Sequence, residues 1–236
     1  MNRLAATCVA LGLFMHSGIG WCQSENLAPG FSGLPKDAKV AVMPLDIEIF
    51  SISAGGVFEP RADWTEAATR NFKSALQKRK GQLGLNTVEV PEKDADELVE
   101  LNSLHGAVAR SIEMHHFGAG ALQLPTKAGK LDWSLGESTR AIKQATGADY
   151  AIFAWVRDSH ASDERKAAMV AIALLSLGRV VQHGGLQTAY ASLVELDTGR
   201  VLWFGRLRRE SGNLKESDED AGETLDTLFR TFPQAK

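Results

Sequence analysis

Cysteine is nearly absent from this 236-residue chain. There are two, Cys8 and Cys22. Both lie near the start, so a domain formed downstream holds at most one, and no intramolecular disulfide can staple it. Stability must come from an ordinary core, and about two hundred residues suffice, since chains of that size bury roughly 70% of their unfolded surface. Charge of one sign is missing too: 26 Lys and Arg stand against 29 Asp and Glu, a net of -3. No basic stripe points to nucleic acid and no acidic tail to disorder. No apolar run reaches the roughly twenty residues a membrane-spanning helix needs. Gly-x-Gly-x-x-Gly, the phosphate loop, His-Glu-x-x-His and Gly-x-Ser-x-Gly are all absent. With them go the local signatures of dinucleotide binding, zinc peptidases and α/β-hydrolases. No cofactor is expected.

What is present begins with a leader. Arg3 gives a short basic start, Leu4 to Met15 an apolar run, and Ser17-Gly18-Ile19-Gly20 a mostly small stretch. This is the layout of a secretory signal peptide. Cleavage fits before Trp21 or before Gln23. A third reading makes Cys22 the lipidated first residue of a bacterial lipoprotein, although bulky Trp21 stands where Gly, Ala or Ser is usual. The expected division is a leader over 1–22, a Pro/Gly-rich linker over 23–38, and a single domain over 39–236 with a helical insertion at 161–186.

Hydrophobic periodicity gives the elements. Lys39 to Ser53 reads as an extended run with a bulge or edge position at Pro44. Helical spacing covers Ala62 to Gly81, with Trp64, Ala68, Phe72 and Ala75 inward. A short strand spans Leu85 to Val90. A second helix runs from Asp94 to about Phe117, with Leu98, Leu101, Leu104, Val108, Ile112 and His115 along one side. Ser134 and Glu137 form a capping box for a third helix that ends at Gly147. Asp149 to Val156 is a buried strand. Asp163 to Gln182 reads as a helix with no charge between Ala167 and Gly178. A hairpin pairs Gln187–Leu196 with Val201–Arg208 around Asp197-Thr198-Gly199-Arg200. Ser217 caps a last helix. The predicted fold is an α/β (α+β) sandwich, a mixed sheet of about five strands with helices packed on it.

The hairpin Ala191–Trp203, the helix-to-strand step Ala145-Thr146-Gly147-Ala148-Asp149-Tyr150 and the opening Val40-Ala41-Val42-Met43-Pro44-Leu45 together resemble secreted bacterial envelope proteins. These are relatives of the TolB amino-terminal domain, of the secretion lipoprotein CsgG and of lipoprotein activators of cell-wall synthases. The resemblance covers about forty residues. It implies a β/α sandwich in the cell envelope that binds proteins and lacks catalysis.

Candidate chemistry is sparse. His105, His115 and His116 are metal-ligand types, but adjacent His115 and His116 point about 100° apart on a helix. Asp158-Ser159-His160 holds the letters of a triad, yet three consecutive extended residues cannot assemble one among themselves. Asp46, Glu48, Glu59 and Asp63 read as a solvated edge. Phe204, Arg206 and Arg208 form a candidate partner surface, since Arg and aromatic residues are enriched at hot spots. The apolar helix, with Met169, Ile172, Leu174 and Leu175, reads first as a core helix. Contact with a second copy or with lipid is its alternative. The expected function is that of a non-catalytic periplasmic or outer-membrane-attached protein. It would bind envelope proteins or copies of itself, and not nucleic acid. The alternative is a metal-dependent hydrolase using His105, His115 and His116.

Overall fold

The computed structural model describes residues 25–83, 85–91, 98–180, 184–210 and 212–233. The leader and Cys22 lie outside the described residues, as does the expected helix start at Asp94. Among the described residues seven strands and five α-helices follow in the order β1 (Lys39–Val42), β2 (Asp46–Ile52), β3 (Phe58–Pro60), α1 (Ala62–Leu83), β4 (Asn86–Glu89), α2 (Val99–His115), α3 (Arg140–Thr146), β5 (Tyr150–Ala161), α4 (Asp163–Leu175), β6 (Gln187–Glu195), β7 (Val201–Arg209) and α5 (Asp218–Leu228).

All seven strands form one mixed sheet, an α+β architecture with helices packed on both faces. β5 is its spine. β6 pairs antiparallel along one edge of β5, from Tyr150 to Asp158, and β7 pairs antiparallel with β6. The other edge takes β1 at Tyr150–Ile152 and β2 at Trp155–Ala161, both parallel. Five strand positions therefore lie side by side, because β1 and β2 share one line and β4 and β3 flank its two halves. Between those halves Met43, Pro44 and Leu45 face only Phe153 and Ala154. That is a one-residue bulge, placed where proline cannot donate to the ladder.

Each face carries its own core. Val40, Ile47, Ile49, Ile152, Val156 and Leu193 meet Ala68, Phe72 and Ala75 of α1 and Ala221, Leu225 and Leu228 of α5. α5 is started by Ser217, whose Oγ accepts from the Asp220 N–H at 3.1 Å, with Asp218, Glu219 and Asp220 complementing the helix dipole. The opposite face, with Phe153, Trp155, Tyr190 and Phe204, is covered by α2 and α3. α2 comes close because Gly106 lies against the Trp155 indole. A Cβ there would sit 2.8 Å from Cδ1. The hairpin turn is held from α3: Lys143 Nζ reaches Asp197 at 2.8 Å and Thr139 Oγ1 donates to Leu196 O at 3.0 Å.

Three expectations need correction. The 23–38 segment is packed from Asn26 onward, not a loose linker. Asn26 O accepts from Phe204 N–H at 3.0 Å, the Ala28 N–H donates to Leu202 O at 2.9 Å, and Ala28 and Leu34 are buried. It acts as a short partner for the outer edge of β7. Ser134 does not cap a helix. Its Oγ accepts from Gly136 N and donates to Thr198 O, fastening the hairpin turn, and a 3₁₀ turn at Glu137–Thr139 leads into α3. The uncharged stretch from Ala167, which forms the rest of α4 after its charged first turn, is not in the core, since no residue of that helix is buried.

Candidate functional site

β2 and β5 end level with each other, Ile52 opposite Ala161. The carboxyl ends of parallel strands are where α/β sheets leave room for ligands. Here that end holds an open cleft of about 620 Å³ between α1, α4 and the 210–216 return, with Ser51, Trp64, His160 and Met169 in its wall. Asp158 and His160 are two apart on β5, so they share a face. Nε2 of His160 lies 3.3 Å from Oδ2 of the buried Asp158. Asp158 also accepts from the N–H of Ser159 at 2.9 Å and of Gly212 at 3.2 Å. Trp64 meets His160 edge-on at 5.7 Å, with the Arg61 guanidinium 4.3 Å from the indole centre on its other contact.

Acid and imidazole therefore do meet, which spacing alone left open, but Ser159 is turned away. Its Oγ donates to Leu186 O at 3.1 Å and accepts from Leu186 N at 2.9 Å. A triad from Asp158-Ser159-His160 is ruled out by strand alternation. What the carboxylate does visibly is tie β5 to the Gly212 backbone.

The three candidate histidines go to three places. His105 is buried under the sheet, stacked on Phe153 at 4.9 Å, with Nε2 sharing a 2.9 Å hydrogen bond with Ser192 Oγ. Burial holds its imidazole down at about 3, so it stays neutral. His115 Nδ1 donates to Leu122 O at 2.7 Å and His116 Nε2 to Glu25 O at 2.8 Å. Ten helical residues separate His105 from His115, about 15 Å of rise, far beyond two bonds of about 2 Å to one ion. Among the described residues no group of three or more His, Cys, Asp or Glu could hold a metal. The histidine-based hydrolase has no assembled donor set.

The expected partner surface is also redistributed. Phe204 is core, stacked between Tyr190 at 5.6 Å and Phe117 at 5.8 Å. The ladder continues from Tyr190 to Trp155 at 5.2 Å. Arginines rim it. The Arg206 guanidinium lies 4.1 Å from the Phe117 ring centre and pairs with Glu113 at 3.2 Å. Arg157 lies 4.5 Å from the Trp155 ring centre and pairs with Asp46 at 2.7 Å and Glu48 at 3.1 Å. Arg110 of α2 stands 5.7 Å from the same ring. Arg208 is exposed beside Thr188, which neighbours Arg157. Among the described residues no carboxylate pairs with Arg110 or Arg208. Tyr190 is pushed up to about 12, by burial first and by Glu113 second, so its hydroxyl is neutral among these cations. Sequence reasoning found Arg206 and Arg208 but missed Arg157, which the pairing of β5, β6 and β7 brings to the same face, and Arg110, which the packing of α2 brings there.

The apolar helix forms a separate feature. Met169 and Ile172 are half-buried against the body, while Leu174 and Leu175 are 73% and 88% exposed. Leu177, just past the helix, is 86% exposed.

No family model matches the chain, and no curated protein matches it by sequence. Among solved structures it overlaps a dodecamer of a PelC variant from Paraburkholderia phytofirmans at 12% identity, over 87% of this chain and 96% of that one, with a TM-score of 0.35. It overlaps the LpoB C-terminal domain from Salmonella enterica at 12% identity, over 78% and 88%, with a TM-score of 0.29. A lipoprotein from Neisseria meningitidis overlaps at 13% identity, over 82% and 95%, with a TM-score of 0.31. None of the three is TolB or CsgG. Overlaps this loose assign no function to the chain, and its architecture rests on its own strand register.

Proposed function

We propose that this chain is a secreted, non-catalytic cell-envelope protein of the TolB/CsgG-like kind, periplasmic or held at the outer membrane through lipidated Cys22. It binds envelope proteins or copies of itself through the arginine-rimmed face of its sheet. The observation that carries this reading is the exposed pair Arg110 and Arg208, which among the described residues carry no carboxylate partner. Arginine is enriched at interface hot spots, and exposed cations without a partner in the fold favour an acidic one. The leader Arg3–Gly20 supplies the compartment.

Crosslinking in the native envelope, followed by mass spectrometry, tests it. Arg110→Glu with Arg208→Glu should remove the dominant crosslink while leaving the thermal midpoint within a few degrees, because both side chains are at the surface. Light scattering of the purified protein separates a foreign partner from a second copy. Crosslinks unchanged in the double variant, or a full-length chain left in the cytosol with its leader uncut, would overturn the reading.

A further inference from the structure

Exposed large apolar side chains gather at one end of the molecule. Val170, Leu174, Leu175 and Leu177 belong to α4 and its exit, which leave the sheet where β5 ends. Val57 ends the β2–β3 connection and Phe58 begins β3, opposite Ile52, where β2 ends level with Ala161. The two elements touch: Arg165 Nη1 donates to Ser53 O at 3.4 Å.

Two further observations bear on what covers this end. From Arg165 to Val194 the sequence holds no Asp or Glu; Asp163 and Glu164 precede it in the first turn of α4, and Asp163 pairs with Lys166 at 2.9 Å, so Arg165 and Arg179 are the cations beside the leucines. Leu177 has φ of +49°, a left-handed conformation that disfavours a bulky residue. It ends α4 in a Schellman motif, with Gly178 N–H donating to Ala173 O and Leu177 N–H to Leu174 O. Glycine would fit there without strain, yet a leucine is kept and points outward.

We propose that this end, built from the α4 leucines with Val57 and Phe58, seats on a lipid bilayer. The inference rests on the envelope reading above, because it needs a membrane met outside the cytosol. At thirteen residues α4 is about 20 Å long and cannot span a bilayer. It lies in the interface, with leucines in the acyl boundary and basic residues at headgroup level. Side chains that protrude this far suit a fluid medium, which closes around each one. A protein partner would need a matching hollow for every knob.

The test is flotation of the purified secreted protein, carrying Cys22→Ser so that no acyl group contributes. The vesicles are phosphatidylethanolamine mixed with phosphatidylglycerol, and phosphatidylcholine alone. The protein should float with both, more strongly with the anionic mixture. Leu174→Gln with Leu175→Gln should weaken partitioning by about two orders of magnitude, roughly one for each leucine withdrawn, with an unchanged circular dichroism spectrum. Leu177→Gly, which cannot disturb the helix end, should weaken it by roughly one. Absence of flotation, or equal flotation of the variants, overturns the proposal. So does light scattering that shows a dimer dissolved by the Gln variants without any vesicle binding, since a second copy would then cover this end. Export is measured separately, by leader cleavage and fractionation, so a failure of the envelope reading is not mistaken for a failure of lipid seating.

Discussion

His105 is the residue whose role changes most between sequence and structure. A histidine inside a core is tolerated only as the neutral ring, because the charged form would lose its hydration. With the folded pKa at about 3 and an ordinary value near 6.5, the unfolded chain takes up a proton that the folded chain refuses. The linkage sign follows: this contribution to stability is intact above about pH 6.5 and is lost as pH falls toward 3. Its slope approaches about 1.4 kcal/mol per pH unit inside that window. Replacing both partners of the buried hydrogen bond, as His105→Leu with Ser192→Ala, removes the titrating group without orphaning the hydroxyl. Urea denaturation at pH 7 and pH 5 should show the parent losing about 2 kcal/mol more than the double variant across that interval. Equal losses would place the ring in contact with solvent.

At the scale of elements, α4 ends on a strained residue, and this has a measurable consequence. Leu177 at φ +49° costs roughly 1 kcal/mol relative to glycine, the usual occupant of that helix-end position. Leu177→Gly should therefore slow hydrogen exchange of the α4 amides by about fivefold, while global unfolding barely moves because α4 contributes no buried residue to either core. The same helix marks a limit of the sequence. A segment apolar on every side demands a cover, but periodicity cannot say whether the cover is the chain itself. α2 carries over in part. Leu98, Leu101 and Ile112 of the expected face are buried, but Leu104 is exposed, Val108 only half-buried, and His105, Gly106 and Ala109 take the contact instead. Close approach to the wide Trp155 ring selects small residues at the contact and displaces the leucines to its flanks. Where a single local rule governs, the reading carries over. Gly199 in the hairpin turn, with φ of +69° and no room for a Cβ beside Gly136, and the Ser217 cap are both where sequence places them. Arg157 lies two residues from Trp155 on β5 and shares its face by alternation, but Arg110 could not be foreseen beside the same indole, because that adjacency depends on how α2 packs across the sheet.

For the whole molecule the decisive feature is the bulge at Met43–Leu45, because it sets the parity of the first two strands against the spine. Val40 packs on the α1 side of the sheet, and so do Ile47 and Ile49. An uninterrupted strand could not do this, since even and odd positions point to opposite faces. The extra residue moves Ile47 and Ile49 inward and sends Asp46 and Glu48 to the other face, where Arg157 pairs with both. Deleting Leu45 would leave Met43 and Pro44 opposite Phe153 and Ala154, and strict alternation from Val40 would then still set Ile47 and Ile49 on the α1 face, with Asp46 and Glu48 on the Arg157 side. That deletion should keep a cooperative urea transition and cost about 2–4 kcal/mol, from the lost Leu45 packing and a proline forced into a regular ladder. Ile47→Asp with Ile49→Asp instead puts two carboxylates on the face that holds Phe72 and Ala68. Each unpaired buried charge costs several kcal/mol, and two together consume most of the roughly 5–15 kcal/mol that holds a domain folded. The double variant should therefore abolish the cooperative urea transition and the near-ultraviolet circular dichroism of the buried tryptophans. Loss of the cooperative transition in the Leu45 deletion as well would mean that the bulge itself, and not the face on which Ile47 and Ile49 fall, holds this edge.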